Sequence, residues 1–277
     1  MATTAADGAL AVITGTEPAL IPSARMRQVE EAFLATWPAL DQKTLGSWRL
    51  GAAEGVTGRS NSVTVLGDDD LDGKALSERL DAVEAFYAAR ALASVVRVTA
   101  LTPPALIDAL RARGYRPEDA SRVLVGTLPA DRIRLEEARA KGWVIEDEAG
   151  EPFFSAADGT GSRTSGHRRV LEALLAKVGG AKAFISRHDE KGPLAGAYVA
   201  VHGAMLTLYN VATAERARRT GLASQMMRIA AGFGADAGAD TLFLFVAAGN
   251  DPALTLYRRF GASQVYTYAY WRKEAGA

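Results

Sequence analysis

The chain has 277 residues, long enough for two domains, and 48% of them are hydrophobic, sufficient for a full core. Its 32 basic and 32 acidic residues balance, which removes the electrostatic footprint of a nucleic-acid binder and leaves small molecules or proteins as partners. The lack of cysteine excludes a disulfide scaffold, a zinc ribbon and a cysteine nucleophile together.

Residues 1–22 are small, polar and Pro-punctuated, an extension expected to be loosely ordered or to add a strand. They lack a basic n-region and carry Asp7, and no run approaches the roughly 18 apolar residues of a membrane span, so no membrane contact and a cytoplasmic location are expected. Ser23 is read as the cap of a helix with Met26, Val29, Phe33 and Trp37 on its apolar face, stopped by Pro38. Strands are expected over 47–52 and 60–66, and a helix through Leu76, Leu80, Val83 and Phe86 after the acidic string Asp68-Asp69-Asp70. A strand over 93–101, a helix over 103–113 and a strand over 121–128 complete a first domain, 23–128.

Pro129 opens a second domain, 129–277, with a helix over 131–141 and a strand at 143–146. A Gly/Ser/Thr-rich loop over 157–166 precedes a helix over 168–178, and strands over 181–187 and 193–201 are joined by a turn at 188–192. Next comes the stretch around which the rest is organised. Leu206, Leu208 and Val211 lie in a strand-like run, and Leu222, Met226, Ile229, Ala230 and Phe233 follow at the spacing of one helix face. Between them, Arg218-Arg219-Thr220-Gly221-Leu222-Ala223 forms a tight turn that points backbone N–H groups and the helix dipole at one spot, suited to an anion and above all to a pyrophosphate. The run 241–247 is apolar on both faces and reads as a central strand. Asn250 or Asp251 caps a helix with Pro252 in its first turn, and a strand over 265–271 closes the chain.

At an offset of 148, which places Gly73 on Gly221, the chain aligns with itself. Pro104-Ala105-Leu106 falls on Pro252-Ala253-Leu254, and strands, helices and glycines recur in the same order. The copies differ where chemistry is expected: opposite Arg218–Ala223 the first copy has Asp70-Leu71-Asp72-Gly73-Lys74-Ala75, and opposite Tyr257 it has Leu110. Aspartates around such a turn repel a phosphate, so one anion site is expected, in the second copy.

These residues resemble the GNAT superfamily of acyl-CoA-dependent N-acetyltransferases. Arg218-Arg219-Thr220-Gly221-Leu222-Ala223 is similar to its Q/R-x-x-G-x-G/A signature, and Asn250, Ala253, Tyr257 and Gly261 are similar to its second feature, an Asn followed by A-x-x-x-Y-x-x-x-G. The resemblance is strong over 130–272 and rests on the repeat alone over 23–128. It implies an α/β tandem GNAT fold of two mixed twisted sheets flanked by helices, the first copy degenerate, the second splayed between its fourth and fifth strands around acetyl-CoA as co-substrate. It also implies that the amides of Arg219 through Ala223, with Arg218 and Ser224 beside them, hold the pyrophosphate. Asn210, Val211 and Ala212 would pair with the pantetheine arm, with Asn250 opposite. Tyr257 would protonate the departing thiolate, and acetyl would pass directly to a small-molecule or protein amine, in a monomer or homodimer. The alternative is a non-catalytic acyl-CoA sensor or partner-binding module. A nucleotide site in the same loop is disfavoured, because no Lys-Ser/Thr follows the glycine.

The sequence departs from clearer family members in lacking a Glu on the strand before the loop. Glu215, a water chain or an amine arriving deprotonated each satisfy the need for a base. Tyr266, Tyr268 and Tyr270 share one strand face, suited to packing or to lining an acceptor pocket. Arg59-Ser60-Asn61-Ser62 reads first as a turn capped by Asn61; it also resembles a segment common in tandem GNAT proteins, and that resemblance implies, as the alternative, binding of the acceptor's carboxylate across the interface of the copies. His167, His188 and His202 lack metal-ligand spacing, and no metal is expected.

Overall fold

Each half of the chain delivers its strands in the same order. In the computed structural model, which describes residues 14–16, 19–160 and 166–274, the first half supplies β1 (Asp41–Leu45), β2 (Trp48–Ala52), β3 (Val63–Val65), β4 (Ser94–Thr99) and β5 (Arg116–Thr127). The second supplies β6 (Trp143–Glu146), β7 (Lys182–Asp189), β8 (Gly192–His202), β9 (Met205–Thr213), β10 (Thr241–Ala247) and β11 (Ser263–Lys273). The helices of the first half are α1 (Ser23–Thr36), α2 (Gly73–Ala88) and α3 (Pro104–Ala112). Those of the second are α4 (Leu135–Ala140), α5 (Glu151–Gly159), α6 (Arg168–Ala176), α7 (Leu222–Asp236) and α8 (Asp251–Arg259). The repeat is therefore structural: α2 and α7, β4 and β10, α3 and α8, and β5 and β11 correspond.

The two mixed sheets anticipated from the repeat are the wings of one 11-stranded sheet, ordered β1-β2-β3-β4-β11-β5-β10-β9-β8-β7-β6. β5 pairs antiparallel with β10 from Thr241↔Thr127 to Ala247↔Ser121, and β11 with β4 from Tyr268↔Thr99 to Lys273↔Ser94. Each closing strand thus lies beside the other half's central strand, and the two closing strands pair with each other from Ser263↔Val125 to Arg272↔Arg116. β4 and β10 are apolar runs that need a partner on each edge, and the exchange supplies one.

Packing follows the same logic. α7 and α8 cover one face of the second wing through Met226, Ile229, Leu254 and Tyr257 on Leu208, Leu244 and Val246. α2 and α3 cover the corresponding face of the first wing through Leu80, Val83 and Leu106. The opposite face carries a core drawn from both halves, with Met26, Phe33 and Trp37 packed among Phe184, Tyr198, Tyr209, Phe243, Tyr266 and Tyr268. α1 is fixed there by polar contacts as well: Thr36 Oγ1 and Tyr209 OH share a hydrogen bond of 2.8 Å, and Tyr266 OH donates to Glu30 Oε1 at 2.6 Å. Glu30, fully buried, also pairs with the buried Arg97 of β4. The sheet and this core both continue across the connection at Pro129.

Some boundaries differ from the sequence reading. Ser23 is the first helical residue, with Pro22 at the cap position and no side-chain cap. β1 (DQKTL) has no apolar alternation because it is an exposed edge strand, held by its hairpin with β2. α5 is a short helix anchored by Phe153 and Phe154, too brief to show a period, and α4 spans only 135–140. β5 begins at Arg116, since the exchange gives it partners along its whole length. Residues 1–13, 17 and 18 of the N-terminal extension, and 161–165 of the Gly/Ser/Thr loop, lie outside the described residues.

A shared sheet and a shared core couple the halves. Calorimetry should show a single cooperative unfolding transition, and two separable transitions would contradict the exchange as the stabilising feature.

Candidate active site

The second wing opens where two parallel strands part. β9 pairs with β10 only from Met205↔Thr241 to Thr207↔Phe243, and beyond Leu208 and Leu244 the strands diverge, the splay anticipated between fourth and fifth strands. A bulge deflects β9 at this point: its register against β8 shifts between Tyr198↔Tyr209 and Gly196↔Ala212, and Asn210 adopts φ 52. Asn210, Val211 and Ala212 form one lip of the cleft and are half-buried.

A single turn of 3₁₀ helix, Glu215–Ala217, leads from this lip into the loop, where Thr220 Oγ1 donates to the Ala217 carbonyl at 2.7 Å. Arg218, Arg219, Thr220 and Gly221 are exposed, and Leu222, Ala223 and Ser224 half-buried. Arg219 (φ 63) and Gly221 (φ 86) are both left-handed, which turns the chain sharply into α7. The first intrahelical bond is Gln225 N–H to Gly221 O at 3.0 Å, so the first-turn amides have no acceptor within the helix, and no side chain caps it. A Cβ on Gly221 would meet nothing within 4 Å.

The counterpart in the first wing is closed by its own side chains. Asp72 caps α2, accepting from Ala75 N–H at 2.7 Å, Asp69 accepts from Ser47 N–H and pairs with Arg79, and Asp68 accepts from Asp70 N–H at 2.9 Å. What the second copy leaves open to an anion, the first fills with carboxylates.

Across the cleft, Asn250 Oδ1 accepts from Ala253 N–H at 3.2 Å and so caps α8, resolving the choice between Asn250 and Asp251. Tyr257 lies on the inner face of α8, 6% exposed, in the core under α7. Burial pushes its phenol up to about 12, with the charge of Arg59 pulling the other way. The phenol is therefore protonated throughout the physiological range, as a proton donor must be.

No carboxylate lies on β9, and Glu215 is exposed in the 3₁₀ turn. Tyr209 on β9 is engaged with Thr36 and its ionisation is pushed up to about 12 by burial, so it does not take the place of a strand carboxylate. Tyr266, Tyr268 and Tyr270 pack in the shared core, where Tyr268 lies 5.4 Å from Tyr270 and 5.7 Å from Phe245 between ring centroids. His188 Nε2 donates to the Pro152 carbonyl at 3.1 Å, and among the described residues no acidic or histidine cluster could hold a metal. Among them, too, no helix is long and apolar enough to cross a membrane.

Sequence reasoning gave Arg59 first as part of a turn and second as a group that binds an acceptor carboxylate, and the turn is present. Asn61 Oδ1 accepts from Ala53 N–H (2.7 Å) and Gly55 N–H (2.9 Å), and its Nδ2 donates to Thr57 O at 2.7 Å. The Arg59 side chain itself reaches the second wing, with its guanidinium carbon 5.5 Å from the Tyr209 ring centroid. The available signal was an arginine in a tightly capped turn; what it faces depends on the strand exchange.

A family described as "Probable histone acetyltransferase Rv0428c C-terminal" matches residues 23–271, across both halves. The chain is 26% identical over 249 residues to "Uncharacterized N-acetyltransferase YobR" of Bacillus subtilis (strain 168), covering 88% of this chain and 97% of that protein. Among solved structures, a GCN5-related N-acetyltransferase from Kribbella flavida superposes with TM-score 0.63 at 17% identity, over 92% of this chain and 96% of its own. A tandem GNAT protein from the clavulanic acid biosynthesis pathway does so with TM-score 0.58 at 13% identity, over 99% and 96%.

Gly221 and Gly73 provide a ligand-free test of the two turns. Gly221→Ala should destabilise by about 1 kcal/mol or more because of its positive φ, whereas Gly73→Ala, at an open position without positive φ, should be neutral or slightly stabilising; denaturant unfolding of both variants measures this.

Proposed function

The chain belongs to this acetyltransferase family, an acyltransferase of tandem GNAT build, and we propose that it transfers acetyl from acetyl-CoA to a primary amine in the cleft between β9 and β10. The observation that carries this reading is the uncapped first turn of α7 behind Gly221, set against the Asp72-capped turn of α2. Open amides, the positive end of a helix dipole and two exposed arginines fit a pyrophosphate, and the acidic counterpart does not. One cofactor site per chain follows.

In this proposal the amides of Arg219, Thr220, Gly221, Leu222 and Ala223 hold the pyrophosphate, with the Arg218 side chain and Ser224 at its edge. The backbone of Asn210, Val211 and Ala212, freed from sheet pairing by the splay, binds the amide groups of the pantetheine arm, and the Asn250 amide faces it from α8. The acyl group then lies where the strands part, beneath Tyr257. The acceptor amine attacks the thioester carbonyl, the carbon–sulfur bond breaks, and the Tyr257 phenol gives its proton to the sulfur. The amine attacks in its neutral form and loses its proton to water, since β9 offers no carboxylate and Tyr209 is held protonated.

Acetyl-CoA at 100 times its Kd should stabilise the protein by about 2.7 kcal/mol, read as a rise in Tm. Gly221→Asp, which places a carboxylate before the amides, should abolish that rise; a chain indifferent to millimolar acetyl-CoA would refute the site. Tyr257→Phe should lower kcat by roughly 10²-fold with acetyl-CoA binding retained. The wild-type rate should climb with pH as the amine deprotonates, with no descending limb below the phenol's value of about 12. An unchanged kcat in Tyr257→Phe would remove the tyrosine from the mechanism.

A further inference from the structure

We infer that the acceptor is a small amine that also bears a carboxylate, and that Arg59, with Trp37 and Ser62, binds that carboxylate in the cavity between α1 and β2. The inference rests on the acetyl-transfer reading for what happens to the amine, but the anion site stands on its own geometry.

The cavity has a volume of about 300 Å³ and is lined by Trp37, Leu50, Gly51, Arg59 and Ser62, among others. Three of these carry a buried polar atom without a hydrogen-bond partner among the described residues: Trp37 Nε1, Arg59 Nε and Ser62 Oγ. Trp37 is 1% exposed and Ser62 4%. Buried donors are costly to leave unpaired, and three around one cavity suit a ligand with several acceptor oxygens.

Arg59 sets the sign of that ligand. Arg97, buried on the same face, has Glu30 as its carboxylate, whereas Arg59 makes no ion pair among the described residues. Its guanidinium lies over the rings of Trp37 (5.7 Å) and Tyr209 (5.5 Å) and hydrogen-bonds the Tyr268 hydroxyl, contacts that orient the cation without supplying a carboxylate. Although burial pulls the Arg59 guanidinium down, the phenol oxygens of Tyr268, Tyr270 and Tyr209 hold it above its ordinary value, so it is charged. A half-buried guanidinium whose Nε is shielded from solvent suits a carboxylate. Glu31 also lines the cavity but is exposed, where solvent screens it. Arg49, on the same wall, adds positive charge, which disfavours a lysine-rich peptide.

The position suits the reaction. The turn is rigid, and Gly58 lets it rest on Tyr270, where a Cβ would come within 2.9 Å of the ring. Arg59 lines the cavity on one side, and on the other its guanidinium lies over the ring of Tyr209, whose strand runs on into the Asn210–Ala212 segment. A carboxylate on Arg59 therefore places an amine a few bonds away toward the acyl group. The cavity is at the small end of ligand sites, which fits an amino acid. The larger hollows at Asp41–Arg90 and Arg139–Gly150 lie by the outer strands β1 and β6.

The test compares matched acceptors in a CoA-release assay: L-phenylalanine against phenethylamine, L-leucine against isoamylamine, and a C-terminally amidated lysine-rich peptide. Calorimetric titration of the corresponding N-acetyl amino acids runs beside it without cofactor. In the wild type, kcat/KM for at least one carboxylated amine should exceed that of its partner by about 30-fold or more, and Arg59→Gln should erase the difference through KM while Arg59→Lys restores part of it. Retention of the acetyl-CoA-induced rise in Tm establishes that the variants are folded; if they are not, the wild-type comparison decides alone. Equal or better use of the decarboxylated amines or of the peptide, or a preference that survives Arg59→Gln, overturns the inference while leaving acetyl transfer intact. If acetyl-CoA neither binds nor reacts, the acetyl-transfer reading falls and the titration decides: N-acetyl amino acids that bind wild type and lose affinity in Arg59→Gln sustain the anion site, and no binding overturns it.

Discussion

The antiparallel pairing of β5 with β11 at the centre of the sheet is the constraint from which the other features follow. Each strand closes its own half in sequence but lies beside the other half's central strand in space, β5 on β10 and β11 on β4. The sheet is continuous as a result, and the face opposite α7 and α8 has one core built from both halves. α1, encoded at the start of the first half, covers β8 and β9 of the second, and the turn carrying Arg59 comes to face Tyr209, Tyr268 and Tyr270. A duplicated fold with independent sheets would leave each of these contacts unmade.

Within that frame the copies have kept geometry and lost chemical equivalence. Both place a turn and a helix after a short strand that parts early from its parallel neighbour, since β3 pairs with β4 only at Val63↔Val96 and Thr64↔Arg97. The difference is at the helix start, where a carboxylate on Asp72 satisfies an orphan amide and a glycine at 221 satisfies none. A capped helix gains stability, of the order of 1 kcal/mol, whereas an uncapped one leaves a dipole and amides for a ligand.

The buried charges divide in the same way. Glu30 and Arg97 are both inaccessible and neutralise each other, with Tyr266 completing the carboxylate's hydrogen bonds. Such a pair contributes little net stability but fixes how α1 meets β4, because removing either partner strands the other's charge. Arg59, half-buried between Trp37 and Tyr209, has aromatic walls and no ion pair among the described residues. In a low-dielectric site the difference between a paired and an unpaired guanidinium is the difference between architecture and recognition.

Much of this was legible in the sequence. The helices at Gly73 and Leu222, the doubly covered strand 241–247 and the repeat at 148 were readable because hydrophobic period and turn chemistry are local. The asymmetry of the two turns was legible for the same reason, since Asp72 and Gly221 act on amides two or three residues away. β1 and α5 were not, because an exposed edge strand and a two-phenylalanine helix carry no period. Nor could any local pattern say that β5 and β11 change places, since both alternatives bury the same residues and differ only in which strand supplies the edge. That choice, made by tertiary pairing alone, decided that the Arg59 turn of the first half faces Tyr209 and Tyr270 of the second; the sequence by itself determined that each half was a copy of the same fold.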